Sequence, residues 1–369
     1  MKTIVVSAVN IRRGGTLRIL RDCLEYLSIL ASEKRYRVIA IVHRRSLFDY
    51  GNIEYIELPH VIDNWGKRLW CEYVTMNRIS KKLAPLYLWL SLHDTTPRVV
   101  AERQAVYCQT SFPFLRLRLS DIRFDYKISL FGLFTRYAYR INIKKNKYII
   151  VQADWLRRAF SAMFGIPQNR FIVSPPEEKT TIVNCNGNQD QDGRIYKFAY
   201  VCGPDCHKNI ELVCKAAEML EKNRGSGRFQ VMLTISGSEN AYAKWIFSKW
   251  GNLKSINYMG YLNREELLQC YSDADCLIFP SRIETWGLPI SEFMQYHKPM
   301  LLADLPYSHE ASAGSTLTAF FNVDDASALA VQMVRLIAGD TSSLSAVGRP
   351  ALNEPYSYSW EELFRYLLQ

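Results

Sequence analysis

No apolar run in these 369 residues approaches the roughly 20 needed to cross a bilayer as a helix. The opening MKTIVVSAVN is short and soon followed by Arg12 and Arg13, unlike a secretory signal, so the expected location is cytoplasmic. A cysteine framework is missing as well. Nine cysteines, an odd number without the spacing of a metal site, suit a reducing compartment, and Cys202 and Cys206 read as packing residues because no second pair accompanies them. The GxGxxG fingerprint of a dinucleotide site is absent, and so is any nucleic-acid-binding motif. What is present is an ordinary soluble composition, 48% hydrophobic and 22% charged. The length suffices for two domains of about 150 to 190 residues, each burying its own core.

Charge is unevenly spread. Residues 1–180 hold 30 Lys and Arg against 15 Asp and Glu, whereas residues 181–369 hold 16 against 21. The densest basic part, residues 115–147, interleaves cations with aromatic and aliphatic side chains. Nucleic acid, an anionic membrane surface or plain solvent could each face such a patch. With no nucleic-acid motif beside it, peripheral contact with an anionic membrane is the expectation, and a solvated basic face is the alternative.

Apolar strands and helical periodicity alternate along both halves. Residues 3–9 read as a strand, residues 10–15 as a loop ending in Gly14 and Gly15, and residues 16–30 as a helix, which is the general form of a phosphate loop. A buried strand at residues 86–92 leads to His93 and Asp94 at the loop edge, where a lone histidine is usually structural. The polar, aperiodic stretch 181–194 marks a boundary. Inside it Asp190-Gln-Asp192 spells a DxD, as does Asp273-Ala-Asp275 further on, but loop and helix-end chemistry explain both and neither is assigned a metal. In the second half, strand 196–201, loop 202–209 and helix 210–222 put Lys208 at a strand-to-helix turn, where an ammonium can meet a diphosphate. Asn263 and Glu266 spell a capping box.

The most informative stretch runs from Ser281 to Glu292, SRIETWGLPISE. Pro289 is pre-set for the first turn of a helix, so Glu284 falls in the preceding loop and Glu292 inside the helix. Gly287 lets the backbone approach a ligand, and the N–H groups of Gly287, Leu288 and Ile290 are expected to lack intrahelical partners and to suit an anionic phosphate. Carboxylates for hydroxyls and N–H groups for phosphate together describe a sugar nucleotide. An ordinary loop-to-helix junction with two solvated glutamates is the bland reading of the same spacing.

This segment resembles the donor-binding motif of the retaining glycosyltransferases of family 4, a Glu-x7-Glu spacing around Gly-Leu-Pro after an apolar strand ending in Pro-Ser. The resemblance is most specific at residues 271–306 and more general elsewhere. It implies the α/β GT-B fold, two facing Rossmann-like domains with an interdomain cleft. The expected boundaries are 1–180 for an acceptor-side domain, 181–194 for a linker, 195–345 for the nucleotide-sugar domain, and 346–369 for a helix crossing back to the first domain. It further implies Lys208 neutralising the leaving group, Glu284 on the hydroxyls of the transferred sugar, and His93 against that sugar. Glu292 is expected on the ribose, Gly260, Tyr261 and Leu262 at the nucleobase, and Gly14 and Gly15 facing the cleft. Trp286, Gly287 and Leu288 complete the donor side. One departure stands out: an arginine common a few residues before the lysine is replaced by Cys202, Gly203 and Pro204. Arg282, His207 or an arginine of the first domain is the expected substitute. The implied reaction moves a sugar from a nucleoside diphosphate to a glycan hydroxyl, the acceptor carried on a polyprenyl diphosphate, with no cofactor and no metal. A sugar-nucleotide epimerase of the same fold and a basic binding module without turnover are the competing classes.

Overall fold

Short apolar runs such as Ile4-Val-Val6 and Cys276-Leu-Ile-Phe279 are buried on both faces, as strands of parallel sheets covered by helices must be. In this computed structural model, residues 1–12, 14–116, 118–124, 126–177, 194–224 and 226–369 are described. The first sheet contains β1 (Lys2–Ala8), β2 (Tyr36–Val42), β3 (Glu54–Glu57), β4 (Leu88–Ser91), β5 (Arg103–Cys108), β6 (Tyr148–Val151) and β7 (Phe171–Val173), in the spatial order 3-2-1-4-5-6-7. The second contains β8 (Tyr196–Tyr200), β9 (Phe229–Leu233), β10 (Ile256–Tyr258), β11 (Cys276–Phe279), β12 (Met300–Ala303) and β13 (Thr318–Phe321), in the order 10-9-8-11-12-13. Every pairing within them is parallel. Each order reverses direction once, between β1 and β4 in the first sheet and between β8 and β11 in the second. Those reversals are the places where open α/β sheets hold ligands.

The chain forms two units. One consists of Met1–Pro113, Leu133–Glu177 and Leu352–Gln369, the other of Phe114–Gly132 and Glu178–Ala351. The expected boundaries differ from this in two places. Residues 114–132, assigned from sequence to the first domain, belong to the second unit. There the Phe124 ring packs 4.9 Å from Trp245 and 5.6 Å from Tyr242. The carboxyl-terminal crossing starts at 352 rather than 346. Ser345 exchanges backbone hydrogen bonds with Thr318, and Val347 with the Gly314 to Ser315 turn, which hold that stretch at the edge of β13.

Beyond it the chain extends β7: Val173 N–H donates to Pro355 O at 3.1 Å and Ser357 N–H to Val173 O at 2.9 Å. Helix Trp360–Leu368 then begins at Ser359, whose side chain caps it, and lays Leu363, Phe364 and Leu367 into the core of the first unit. Phe364 stacks on Tyr26 at 5.5 Å, and Tyr87 donates its hydroxyl to Leu368 O at 2.6 Å. Burying each of these apolar side chains stabilises the unit by about 1.5 to 3 kcal/mol. The expected linker 181–194 and the DxD at Asp190 lie, but for residue 194, outside the described residues. No helix among the described residues is long and apolar enough to cross a membrane.

Candidate functional site

At the strand-order reversal of the second sheet, two loops meet. The loop after β8 contains the turn Cys206–Lys208 and ends at Asn209, whose φ of +58° a short polar side chain tolerates. The Asn209 amide then donates to Pro280 O at 3.3 Å and Val323 O at 2.8 Å, tying this loop to the ends of β11 and β13. The Tyr200 hydroxyl donates to Lys208 O from within β8. The loop after β11 runs to Gly287, which has φ +97° and where a Cβ would come 3.1 Å from Ile290 Cδ1; glycine is required there. Helix Leu288–Met294 follows, with Pro289 in its first turn as the sequence predicts.

Between these loops Lys208 Nζ donates to Glu284 Oε1 at 2.5 Å. The two side chains are 18% and 15% exposed, enough for solvent and a ligand to reach them. Burial works against the ammonium more than any other influence, but the Glu284 carboxylate and its hydrogen bond, with Cys202 and Asp205, outweigh it. The Lys208 pKa is therefore raised and the group stays charged. The carboxylate of Glu292 accepts from Arg264 at 2.7 Å and from the Tyr271 hydroxyl at 3.2 Å. Trp286 is half-buried and donates its indole N–H to Ser291 Oγ at 3.3 Å. Gly260 follows β10 at φ +73°, and Tyr261 beside it is 91% exposed, with Leu262 half-buried. Asn263 and Glu266 form the predicted capping box that starts helix Arg264–Asp273.

Four expectations need correction. Ile290 N–H is not free, since it donates to Gly287 O at 2.9 Å; the short helix closes its first turn tightly and leaves Leu288 N–H without an intrahelical partner. Arg282 does not stand open to a ligand. Its side chain is 6% exposed and forms a two-pronged pair with Asp121, at 3.0 and 2.6 Å. His207 is a poor candidate for the second cation, because burial first, and then Lys208 and Arg282, push its pKa well down. His93 does follow the end of β4, as expected, but it does not face a ligand there. Its ring is fully buried beside β1 and β4, with Nε2 3.0 Å from Ser7 Oγ and Nδ1 3.0 Å from Thr95 Oγ1. Burial is the main reason its pKa falls to about 4, Glu72 at 3.6 Å notwithstanding.

Gly14 and Gly15 are exposed where helix Gly14–Ser32 begins at the corresponding reversal of the first sheet, and Gly14 has φ +69°. Asp275 accepts from Arg194 at 2.5 Å and from Lys197 N–H at 2.8 Å, and Asp273 from Gln269, which uses that DxD for structure. Among the described residues no three His, Cys, Asp or Glu side chains gather as metal ligands would. Sequence reasoning missed Asp121, Arg264 and Tyr271. The last of these lies in the segment read as a helix end, and its i to i+21 reach to Glu292 has no local signature.

The family of glycosyl transferases group 1 matches residues 196–344, from β8 to beyond β13 and therefore over the whole Lys208 and Glu284 site. The chain carries a group 1 glycosyl transferase domain. It is a glycosyltransferase, similar to the O-antigen chain mannosyltransferase RfbU of Salmonella typhimurium, with 21% identity over 281 residues covering 73% of this chain and 72% of that one. Among solved structures, the transferase resembles the lipopolysaccharide outer core galactosyltransferase WaaB in its apo form. The TM-score is 0.62 at 10% identity, over 99% of this chain and 95% of that one. It also resembles Anabaena Alr3699/HepE in complex with UDP-glucose, with a TM-score of 0.64 at 11% identity over 100% and 96% of the two chains. These likenesses carry the fold, the Rossmann-like pair of parallel α/β units of GT-B glycosyltransferases.

Proposed function

We propose that this transferase moves a sugar from a nucleoside-diphosphate sugar to a hydroxyl of a glycan acceptor, with retention of anomeric configuration and without a metal ion, in the assembly of a surface polysaccharide. The observation that carries this reading is Lys208 Nζ at 2.5 Å from Glu284 Oε1, on the loops that follow the adjacent strands β8 and β11. As the glycosidic bond breaks, its electron pair passes to the diphosphate oxygen. The Lys208 ammonium stabilises that growing charge. Glu284 accepts hydrogen bonds from the sugar hydroxyls and, already engaged by Lys208, is not a covalent nucleophile. The acceptor attacks from the face the diphosphate leaves, and a diphosphate oxygen takes its proton. Glu292, held by Arg264 and Tyr271, accepts from the ribose hydroxyls. Gly287 and Leu288 N–H meet phosphate oxygens, and Gly260, Tyr261 and Leu262 flank the base.

A lipid-linked acceptor and contact with an anionic membrane belong to the same reading. The continuous helical stretch 65–83 exposes Trp65, Leu69 and Trp70 together with Lys67, Arg78, Lys81 and Lys82, while its acid, Glu72, is buried. Tryptophans beside cations suit the headgroup region of a bilayer. Sedimentation with phosphatidylglycerol vesicles, weakened in Trp65→Ala/Trp70→Ala, supports this part; equal binding to neutral vesicles counts against it.

Thermal stabilisation by UDP, GDP, ADP and NAD tests the donor. A hundredfold excess over Kd raises stability by about 2.7 kcal/mol. The expected result is a shift with one nucleoside diphosphate that Lys208→Ala loses. A nucleotide sugar isomerised without acceptor would instead make the protein an epimerase, and no shift with any nucleotide would leave the basic surface as its working part.

A further inference from the structure

Segment 114–132 joins the second unit although the chain returns to the first unit after it, and it lies outside the residues matched by the family. We propose that Asp121 of this segment is a positioning residue for sugar transfer, fixing Arg282 and, through Arg282, the spacing of Lys208 and Glu284. The inference rests on the donor site described above.

Arg282 joins the two site loops by both its backbone and its side chain. Its N–H donates to His207 O at 2.8 Å, and Nη2 donates to Cys206 O at 2.9 Å. Those acceptors belong to the turn that ends in Lys208, and Glu284 is two residues beyond Arg282. Any shift of the guanidinium therefore moves both members of the 2.5 Å pair. What holds the guanidinium is Asp121, which takes Nη1 on one oxygen and Nη2 on the other, with only 8% of its side chain exposed. A planar fork bound at two points has its orientation set as well as its charge balanced.

The segment that carries Asp121 is also held by other contacts. Asp121 Oδ2, besides taking Arg282 Nη1, accepts from Arg118 N–H at 3.0 Å, Arg118 reaches Asp324, and Phe124 packs against Tyr242 and Trp245. Replacing the carboxylate by an amide of the same shape keeps one oxygen for Arg118 N–H, but it removes the negative charge beside Arg282 and turns one of the two acceptors of its guanidinium into a donor.

The experiment measures release of nucleoside diphosphate from UDP-glucose and GDP-mannose by the full chain carrying Asp121→Asn, Asp121→Glu or Lys208→Ala. Asp121→Asn is expected to lower kcat by about ten- to a hundredfold with donor KM changed far less, the cost of misplacing groups by a fraction of an ångström to one ångström. Asp121→Glu should recover part of the loss. The double variant Asp121→Asn/Arg282→Met should be no worse than Asp121→Asn alone, because the two residues act as one unit; it also supplies the answer if an unpaired Arg282 prevents the single variant from folding. Unchanged kcat in Asp121→Asn, no recovery with glutamate, or wild-type turnover in the double variant overturns the proposal. So does tighter binding of UDP or GDP by Asp121→Asn, which would make the carboxylate a competitor of the phosphates. Full activity in Lys208→Ala would sink the donor site itself, whereas an inactive Lys208→Ala beside a normal Asp121→Asn removes only this inference.

Discussion

The two sheets reverse strand order in the same way, yet they spend that position differently. At β8 and β11 the reversal presents a partly exposed cation and carboxylate in contact, Lys208 and Glu284. At β1 and β4 it presents exposed backbone at Gly14 and Gly15 and hides its titratable group, His93, in the interior. A topological reversal supplies a crevice, but the residue type delivered to it decides whether it does charge chemistry or supports a loop. One aspect is common to both: each needs a glycine with positive φ at the start of a helix, Gly14 and Gly287.

The contrast breaks most sharply at Lys208. Lys208→Ala should lower turnover by about 100- to 1,000-fold, the loss seen when one electrostatic stabiliser of a developing charge is removed. Steady-state kinetics with the donor found by thermal shift would check it, and a loss under threefold would erase the distinction between the two reversals. His93 should make stability depend on pH instead. Its folded pKa of about 4 lies below the ordinary 6.5, so the unfolded chain takes up a proton that the folded chain refuses. The His93 share of stability should therefore fall as pH drops from 6.5 towards 4, by on the order of 3 kcal/mol, with no contribution above that window, while Asp94 beside it, whose pKa burial raises to about 6, works in the opposite direction. Urea denaturation of wild type and His93→Gln across pH 4 to 7 would show it, the variant lacking this slope.

Smaller effects separate the glycines. Gly14→Ala meets open space and pays only for its backbone, about 1 to 2 kcal/mol, whereas Gly287→Ala adds the approach of Ile290 Cδ1 at 3.1 Å. Chemical denaturation should therefore rank Gly287→Ala as the more destabilising, and equal values would mean that Ile290 moves aside freely.

Much of this was legible from residue order. Alternating apolar runs predict strands such as Cys276–Phe279 and Ile256–Tyr258 at their observed bounds, and the Gly-Leu-Pro junction predicts where helix Leu288–Met294 starts. Those signals are local, written within a few residues by periodicity, proline and glycine. Lys208 and Glu284 were each singled out by the pattern of their own loop, but their contact spans 76 positions and was not written in either. Asp121 and Arg282 are 161 positions apart, and nothing near Asp121 announces a partner, so the fate of Arg282 was read wrongly. His93 misled for a related reason: strand alternation tells which face a residue takes, not whether neighbouring elements close over its end.

The return of helix Trp360–Leu368 to the first unit has a consequence for the order of events during synthesis. Trp360, Leu363, Phe364 and Leu367 belong to the same core as β1 and β2, so the hydrophobic surface they cover stays bare after Glu177 until the intervening chain has been made. At ~5 to 20 residues per second that interval is roughly 10 to 35 s, the time in which the rest of the second unit is made. The half of the chain that emerges earliest is thereby the last to be finished. During that wait its open seam is the part of the nascent protein a chaperone would be expected to hold.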